Sequence, residues 1–201
     1  MPNLIERLRK RHMVDNLTLG SAAELEKGPL RLYVGIDPTA PGLHIGSLAI
    51  LMLLRQFQLA GHRPCLLLGG ATAMIGDPSF KAQERKLLSK EAILANQAAI
   101  QKELNKLFQS SGPEGLQLLN NQDWWEKMEV HTFLRDIGKH FSVNEMQAKT
   151  SVKSRLKSGI SFTEFAYPLL QAYDFYHLYH CAYFLGRHLA NHHAYQGEEP
   201  Q

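Results

Sequence analysis

The sequence predicts an α/β fold, with a parallel sheet flanked by helices. Three observations predict it. Residues 30–36 (LRLYVGI) and 64–69 (PCLLLG) are short apolar runs bounded by turn residues, and both read as buried strands. Between them, residues 47–58 carry LAILMLLRQFQ, an apolar stretch of helical length that ends before Gly61. Strand, helix and strand within about 40 residues make a βαβ unit, whose strands run parallel.

The elements follow in chain order. Residues 2–14 read as a helix, with Leu4, Ile5 and Leu8 as its apolar stripe and basic residues opposite. Residues 15–29 are polar and read as a connection or a short helix. The first strand, 30–36, sits between Pro29 and Asp37-Pro38 and opens into the loop DPTAPGLHIGS. The second strand, 64–69, opens into GGATAMIGDPSF, another glycine-bearing loop. Residues 90–108 form an amphipathic helix, with Ile93, Ile100, Leu104, Leu107 and Phe108 near helical spacing. After a break at 110–115, residues 115–121 (GLQLLNN) read as a third strand. Helices are expected around 130–139 and 143–157. Gly159 interrupts, and 161–179 reads as one more helix. Both glycine-bearing loops leave the C-terminal ends of parallel strands, the edge where open α/β sheets bind ligands.

Composition excludes several classes. The chain has 201 residues, 44% of them apolar and 20% charged, which rules out a disordered or fibrous protein. No apolar run approaches the roughly 18 to 20 residues of a membrane span. Residues 1–16 carry Arg7, Arg9, Lys10 and Arg11 but no long apolar core, against a secretory signal. Cys65 and Cys181 are too few for a disulfide scaffold, so a reducing compartment is the simpler reading. A net charge of +3 argues only weakly for a nucleic-acid partner. Five of the 10 histidines, His177, His180, His188, His192 and His193, crowd the C-terminus.

The first loop has neither a P-loop pattern nor a G-x-G-x-x-G pattern. It holds Tyr33, Gly35, Asp37, Thr39, His44, Gly46 and Ser47, and it leads His44 into the N-terminus of a helix. Such an end offers free N–H groups and suits phosphate. His44 could donate to a phosphoryl oxygen, Gly46 would let a backbone or adenine ring come close, and Asp37 and Thr39 could position an amine or a phosphate. The bland alternative is that the glycines serve turns and His44 lies on the surface. The second loop adds Asp77, which could hold an ammonium group. Lys81 and Arg85 are four apart and could stabilise a departing pyrophosphate, or simply form a solvated basic helix start. Along 161–179, Glu164, Tyr167, Gln171 and Asp174 recur at helical spacing. That polar stripe should face water or a polar ligand.

Three segments together, YVGIDPTAPGLHIGS, LLLGGATAMIGDPSFKAQERK and SFTEFAYPLLQAYDF, resemble the bacterial-type tyrosyl-tRNA synthetases, which are class I enzymes. HTFLRDIGKHFSVNEM at 131–146 belongs to the same resemblance, which runs from about residue 3 to about residue 179. It implies a Rossmann-like catalytic domain over residues 1–179 and an atypical tail over 180–201. It implies that Tyr33 and Asp174 hydrogen-bond the substrate phenol, an arrangement that rejects phenylalanine; this enzyme is the standard case of discrimination by a missing hydroxyl. Asp77, Tyr167 and Gln171 would hold the ammonium group. Gly35, Asp37, His44, Gly46 and Ser47 would line the nucleotide site. Thr39 and His44 would stabilise the β- and γ-phosphates, and Lys81 and Arg85 the leaving pyrophosphate. The expected reaction is tyrosine activation by ATP to tyrosyl-adenylate, then transfer to tRNA(Tyr). Mg2+ would accompany ATP, without a dedicated protein metal site. The resemblance also implies a homodimer with its contact around Phe162, and the cytoplasm, with the mitochondrial matrix as the alternative.

Two departures qualify it. The family signature His-Ile-Gly-His reads His44-Ile45-Gly46-Ser47 here; Ser47 can still hydrogen-bond and cap a helix. Beyond residue 179 the expected Gln-Ile-Gly-Gly-Ser-Asp-Gln-Trp-Gly-Asn motif, the Lys-Met-Ser-Lys-Ser loop and the tRNA-binding region do not follow. The expectation is a fold cut before the second half of the nucleotide-binding unit, with impaired or absent aminoacylation. The alternatives are a non-catalytic fragment that binds tyrosine and dimerises, or a frameshifted product. His188 and His192 share helical i, i+4 spacing, but a rearranged tail is preferred there over a metal site.

Overall fold

The computed structural model describes residues 3–76, 87–108, 111–153, 156 and 159–180. Its centre is a parallel three-stranded sheet, in the order β1 (Arg31–Ile36), β2 (Arg63–Leu68), β3 (Gln117–Asn120). Tyr33 pairs with Cys65 and Ile36 with Leu68, while Leu68 pairs with Asn120 on its other side. All three strands therefore end at one edge.

Side-chain alternation along β2 builds two cores, because successive residues of a strand point to opposite faces. Leu66 and Leu68 join Leu32 of β1 on one face. That face is covered by α1 (Leu4–Lys10), α2 (Ser21–Glu26), α3 (Ile45–Leu59) and α5 (Lys90–Leu107), through Leu8, Leu25, Leu51, Leu54, Ile100 and Leu104. Cys65 and Leu67 point the other way, into a smaller core with Trp124 and Leu178. Trp124 and its neighbour Trp125, which packs against this core, belong to α6 (Gln122–Trp125), and Leu178 belongs to α10 (Phe162–His180). The expected helix–sheet–helix layering is present.

Local chemistry sets the boundaries. The expected helix at 2–14 shrinks to α1, because Asn3 caps its start by accepting from the Glu6 N–H at 2.9 Å and His12 turns left-handed (φ 54°) at its end. Two four-residue helices, α4 (Thr72–Ile75) and α6, follow β2 and β3; both are too short to show a period. The expected helix at 130–139 divides into α7 (Val130–Thr132), a wide π-turn at Phe133–Ile137 and a tighter turn at Gly138–His140. The one at 143–157 divides into α8 (Val143–Ala148) and α9 (Thr150–Lys153), because Lys149 between them is extended. The polar stripe of α10 is also corrected. Glu164, Tyr167 and Asp174 are buried, and only Gln171 of the four is exposed. Asp174 and Tyr167 gain partners on the sheet's edge, so burial does not leave them facing an apolar wall.

Helix α5 ties the first loop to the body. Asn96 Nδ2 donates to the Pro38 carbonyl at 2.9 Å, and Glu103 accepts the Leu43 N–H at 2.9 Å, two turns further along. These bonds hold both ends of the segment that carries Thr39. Replacing Glu103→Ala should speed hydrogen exchange of the Leu43 amide by about tenfold or more, since an abandoned partly buried donor costs about 1–3 kcal/mol. Glu103→Gln keeps an acceptor oxygen and should change it far less.

Candidate functional site

The site lies where β1, β2 and β3 end and α10 crosses them. Tyr33 is half-buried on β1, on the same face as Cys65, and packs beside the core formed by Cys65, Leu67, Trp124 and Leu178. Its ring lies 6.4 Å from that of Phe175 on α10. Asp174 is 4% exposed and accepts three side-chain hydrogen bonds. Trp124 Nε1 and Trp125 Nε1 donate to Oδ1 at 2.8 and 2.7 Å, and Asn121 Nδ2 donates to Oδ2 at 2.9 Å.

A continuous network joins Asp174 to the first loop. Asn121 is fully buried; its Oδ1 accepts the Ala71 N–H at 2.8 Å, and its Nδ2 also donates to Thr72 Oγ1 at 3.1 Å. Thr72 Oγ1 donates in turn to Asp37 Oδ1 at 2.6 Å, and Tyr167 donates its hydroxyl to Asp37 Oδ2 at 2.9 Å. Three helices, two strand ends and the first loop thus converge on a pair of carboxylates. The second loop makes room for this. A Cβ on Gly69 would stand 1.9 Å from Asp37 Oδ1, and one on Gly70 2.5 Å from Asn120 Oδ1.

Burial raises the Asp174 carboxyl to about 6, against the pull of its three donors and with a further push from the Asp37 charge. Burial, then the Asp174 charge, pushes the Tyr33 hydroxyl up to about 12, so it stays protonated. Burial also pushes the Cys65 thiol up to about 12 and lowers His177, which favours the neutral ring.

At the end of the first loop, His44 caps α3. Its Nδ1 accepts the Ser47 N–H at 3.2 Å, and Ser47 Oγ lies 3.2 Å from its Nε2. With Nδ1 accepting, a neutral ring carries its proton on Nε2. The expectation that Ser47 caps the helix is corrected: His44 is the cap, and Ser47 is the capped residue. Gly46 leaves room for the ring, because a Cβ there would press to 3.1 Å of His44 Cε1. Gly35 and His44 are exposed, Thr39 is half-buried, and the Thr39 N–H turns back to the Asp37 carbonyl at 2.8 Å.

Of the residues singled out from sequence, Tyr33, Asp37, Tyr167 and Asp174 meet around one network. Thr39, His44, Gly46 and Ser47 line the adjoining loop and helix start, and Gln171 is exposed on α10. Asp77, Lys81 and Arg85 lie outside the described residues, as do His188, His192 and His193. Sequence reading missed Thr72, Asn121 and Trp124. Thr72 and Asn121 each follow the end of a strand, so the rule that placed ligands at that edge contained the signal that could have found them. Trp124 carried no such signal.

The Asp174 shift has a testable sign. Its ordinary value is 3.8 and its folded value is about 6, so the folded chain holds this proton more tightly than the unfolded chain does. Its contribution to stability is therefore fully present below about pH 4 and is lost as pH rises through about 6. Asp174→Asn should remove that slope. Urea unfolding at pH 4 and pH 7 should show the parent losing up to about 3 kcal/mol more than the variant across the interval.

Comparison with known proteins gives these side chains a setting. The family model described as tRNA synthetases class I (W and Y) matches residues 25–187. The tyrosine–tRNA ligase of Amoebophilus asiaticus is 54% identical over 180 residues, covering 89% of this chain and 42% of the relative. That of Bacteroides fragilis is 51% identical over 183 residues, covering 88% and 43%. A crystal structure of a C-terminally truncated mitochondrial tyrosyl-tRNA synthetase from Aspergillus nidulans superimposes with a TM-score of 0.76, at 30% identity over 88% of this chain and 54% of that one. The chain spans less than half the length of these two curated relatives. Through a match that takes in both glycine-bearing loops, the third strand and α10, the chain belongs to the class I tRNA synthetases (W and Y).

Proposed function

We propose that the chain is the tyrosine-recognising part of a tyrosine–tRNA ligase, and that it binds L-tyrosine with the phenol at Tyr33 and Asp174. The observation that carries this is the buried Asp174 carboxylate, held by three donors beside Tyr33. A buried charge in an apolar wall is expensive unless it is paired. This one is kept at the sheet edge where ligands bind, and a phenol O–H supplies a further donor. Phenylalanine would leave the carboxylate short of that donor, which is a strong basis for rejection.

The remaining roles follow from matching positions. Tyr167, Gln171 and Asp77 hold the substrate ammonium group. Gly35, Asp37, Gly46 and Ser47 adjoin the nucleotide, with Asp37 between nucleotide and amino acid. In activation, a tyrosine carboxylate oxygen forms a bond to the α-phosphorus of ATP. The bond from that phosphorus to the bridging oxygen breaks, and pyrophosphate leaves with the electron pair. The carboxylate is already ionised, so no general base is needed. Catalysis is positioning and charge stabilisation. Thr39 and the Nε2–H of His44 face the β- and γ-phosphates, and Lys81 and Arg85 receive the pyrophosphate. Mg2+ would accompany ATP and help neutralise the phosphate charge. The adenylate would then pass its tyrosyl group to tRNA(Tyr).

Residues 1–179 act as the catalytic-domain part and 180–201 as a separate tail. Phe162 is 73% exposed at the start of α10, which supports a homodimer contact there. No helix among the described residues is long and apolar enough to cross a membrane. The greater identity to the Amoebophilus ligase than to the mitochondrial structure favours the cytoplasm.

Titration calorimetry tests the reading directly. Tyrosine should bind and phenylalanine should bind at least about a thousandfold more weakly, in line with the loss of a bonded hydroxyl. Tyr33→Phe should weaken tyrosine by about tenfold, one hydrogen bond's worth. Equal binding of the two amino acids would sink the proposal.

A further inference from the structure

Trp124 and Trp125 are neighbours in a four-residue helix, yet both indoles reach the same atom. Adjacent helical residues point about 100° apart, so nothing in the helix itself makes them converge. Trp124 is stacked on His177 at 4.3 Å between ring centres. Trp125 comes from the other side, held edge-on by Phe133 at 5.7 Å and by Tyr173 at 5.0 Å. Their Nε1 atoms lie 2.8 and 2.7 Å from Asp174 Oδ1. A carboxylate offers about four lone-pair positions, two on each oxygen. The indoles fill Oδ1, Asn121 takes one position on Oδ2, and a single acceptor position on Oδ2 is left.

We propose that Trp125 is a positioning residue for substrate selection: its indole N–H completes the pair that closes Oδ1 of Asp174, leaves Oδ2 as the acceptor for a ligand hydroxyl, and keeps the carboxylate charged in a buried place. This rests on the tyrosine-binding reading for the ligand, while the effect on Asp174 stands without it. The titratable groups sharing this side of the sheet are Tyr33 on β1, Asp37 after β1, Cys65 on β2 and His177 on α10. Burial keeps Tyr33 and Cys65 protonated and favours the neutral ring of His177. Asp37, bonded to Thr72 and Tyr167, supplies the other negative charge. Losing one donor therefore falls on Asp174, whose ionised form the donor stabilises.

The chain has 2 tryptophans, so its two indole N–H signals report this pair alone. In the unmodified 15N-labelled chain, both signals should shift between pH 4 and pH 8 with one common midpoint, because they share one acceptor. A Trp125 signal that does not titrate, or that titrates with its own midpoint, overturns the proposal without any variant. Trp125→Phe keeps the ring and removes the donor. The Trp124 signal should then titrate about one pH unit higher, and tyrosine affinity should begin to fall at correspondingly higher pH. An unchanged midpoint in Trp125→Phe would mean that the ring only packs. Should the parent fail to bind tyrosine, the ligand reading fails, and the indole titrations still decide the role of Trp125.

Discussion

One buried amide, that of Asn121, holds the site's two halves together. It accepts from the Ala71 backbone and donates toward both Asp174 and Thr72, which bonds Asp37. Its direct partners come from the turn after β2 and from α10, and Thr72 carries the link on to Asp37 in the first loop. Two carboxylates brought this close repel each other, and the small donors between them offset that repulsion. The same amide meets the hydrogen-bonding need of the glycine turn after β2, by accepting the Ala71 N–H. A side chain of other length or polarity would leave at least one buried group without a partner.

The sheet supplies the rigid part of this arrangement. Alternation along β2 sends Leu66 and Leu68 to one core and Cys65 and Leu67 to the other, so both helix layers grip the same strand. Parallel register then delivers three strand ends to one edge. Stability and function diverge there. Asp174 is less comfortable folded and charged than unfolded and charged, and the fold carries that disadvantage above about pH 6. The face toward α3 and α5 carries no comparable strain among its described groups; it is filled mainly by leucine and isoleucine.

Much of this was legible in the residues. Apolar runs and their spacing located β1, β2, β3 and the helices between them, since periodicity reports which side of an element is buried. Family-like segments pointed to Tyr33, Asp37, Tyr167 and Asp174, and the structure gathers those four. What stayed hidden depends on long-range geometry. Thr72, Asn121 and Trp124 act through contacts across 35 to 53 residues of sequence, and local patterns do not encode those. Helices of four residues give no period to read. The polar stripe on α10 was visible, but its burial was not, because pattern alone does not tell water from a polar neighbour. The capping role of His44 was overlooked because histidine is not a usual helix cap, and the ring reaches the Ser47 N–H only by lying across Gly46.

The glycine pair at the end of β2 has a consequence for how this sequence can drift. A side chain on Gly69 runs into the Asp37 carboxylate, and one on Gly70 runs into the amides of Asn120 and Gln97. Any missense change at either codon adds at least a Cβ, whatever chemistry comes with it. Mutational tolerance at these two codons is therefore decided by volume rather than by polarity. Most surface positions can sample several residue types before stability notices; this pair has no neutral neighbour in sequence space unless Asp37 or Asn120 moves at the same time.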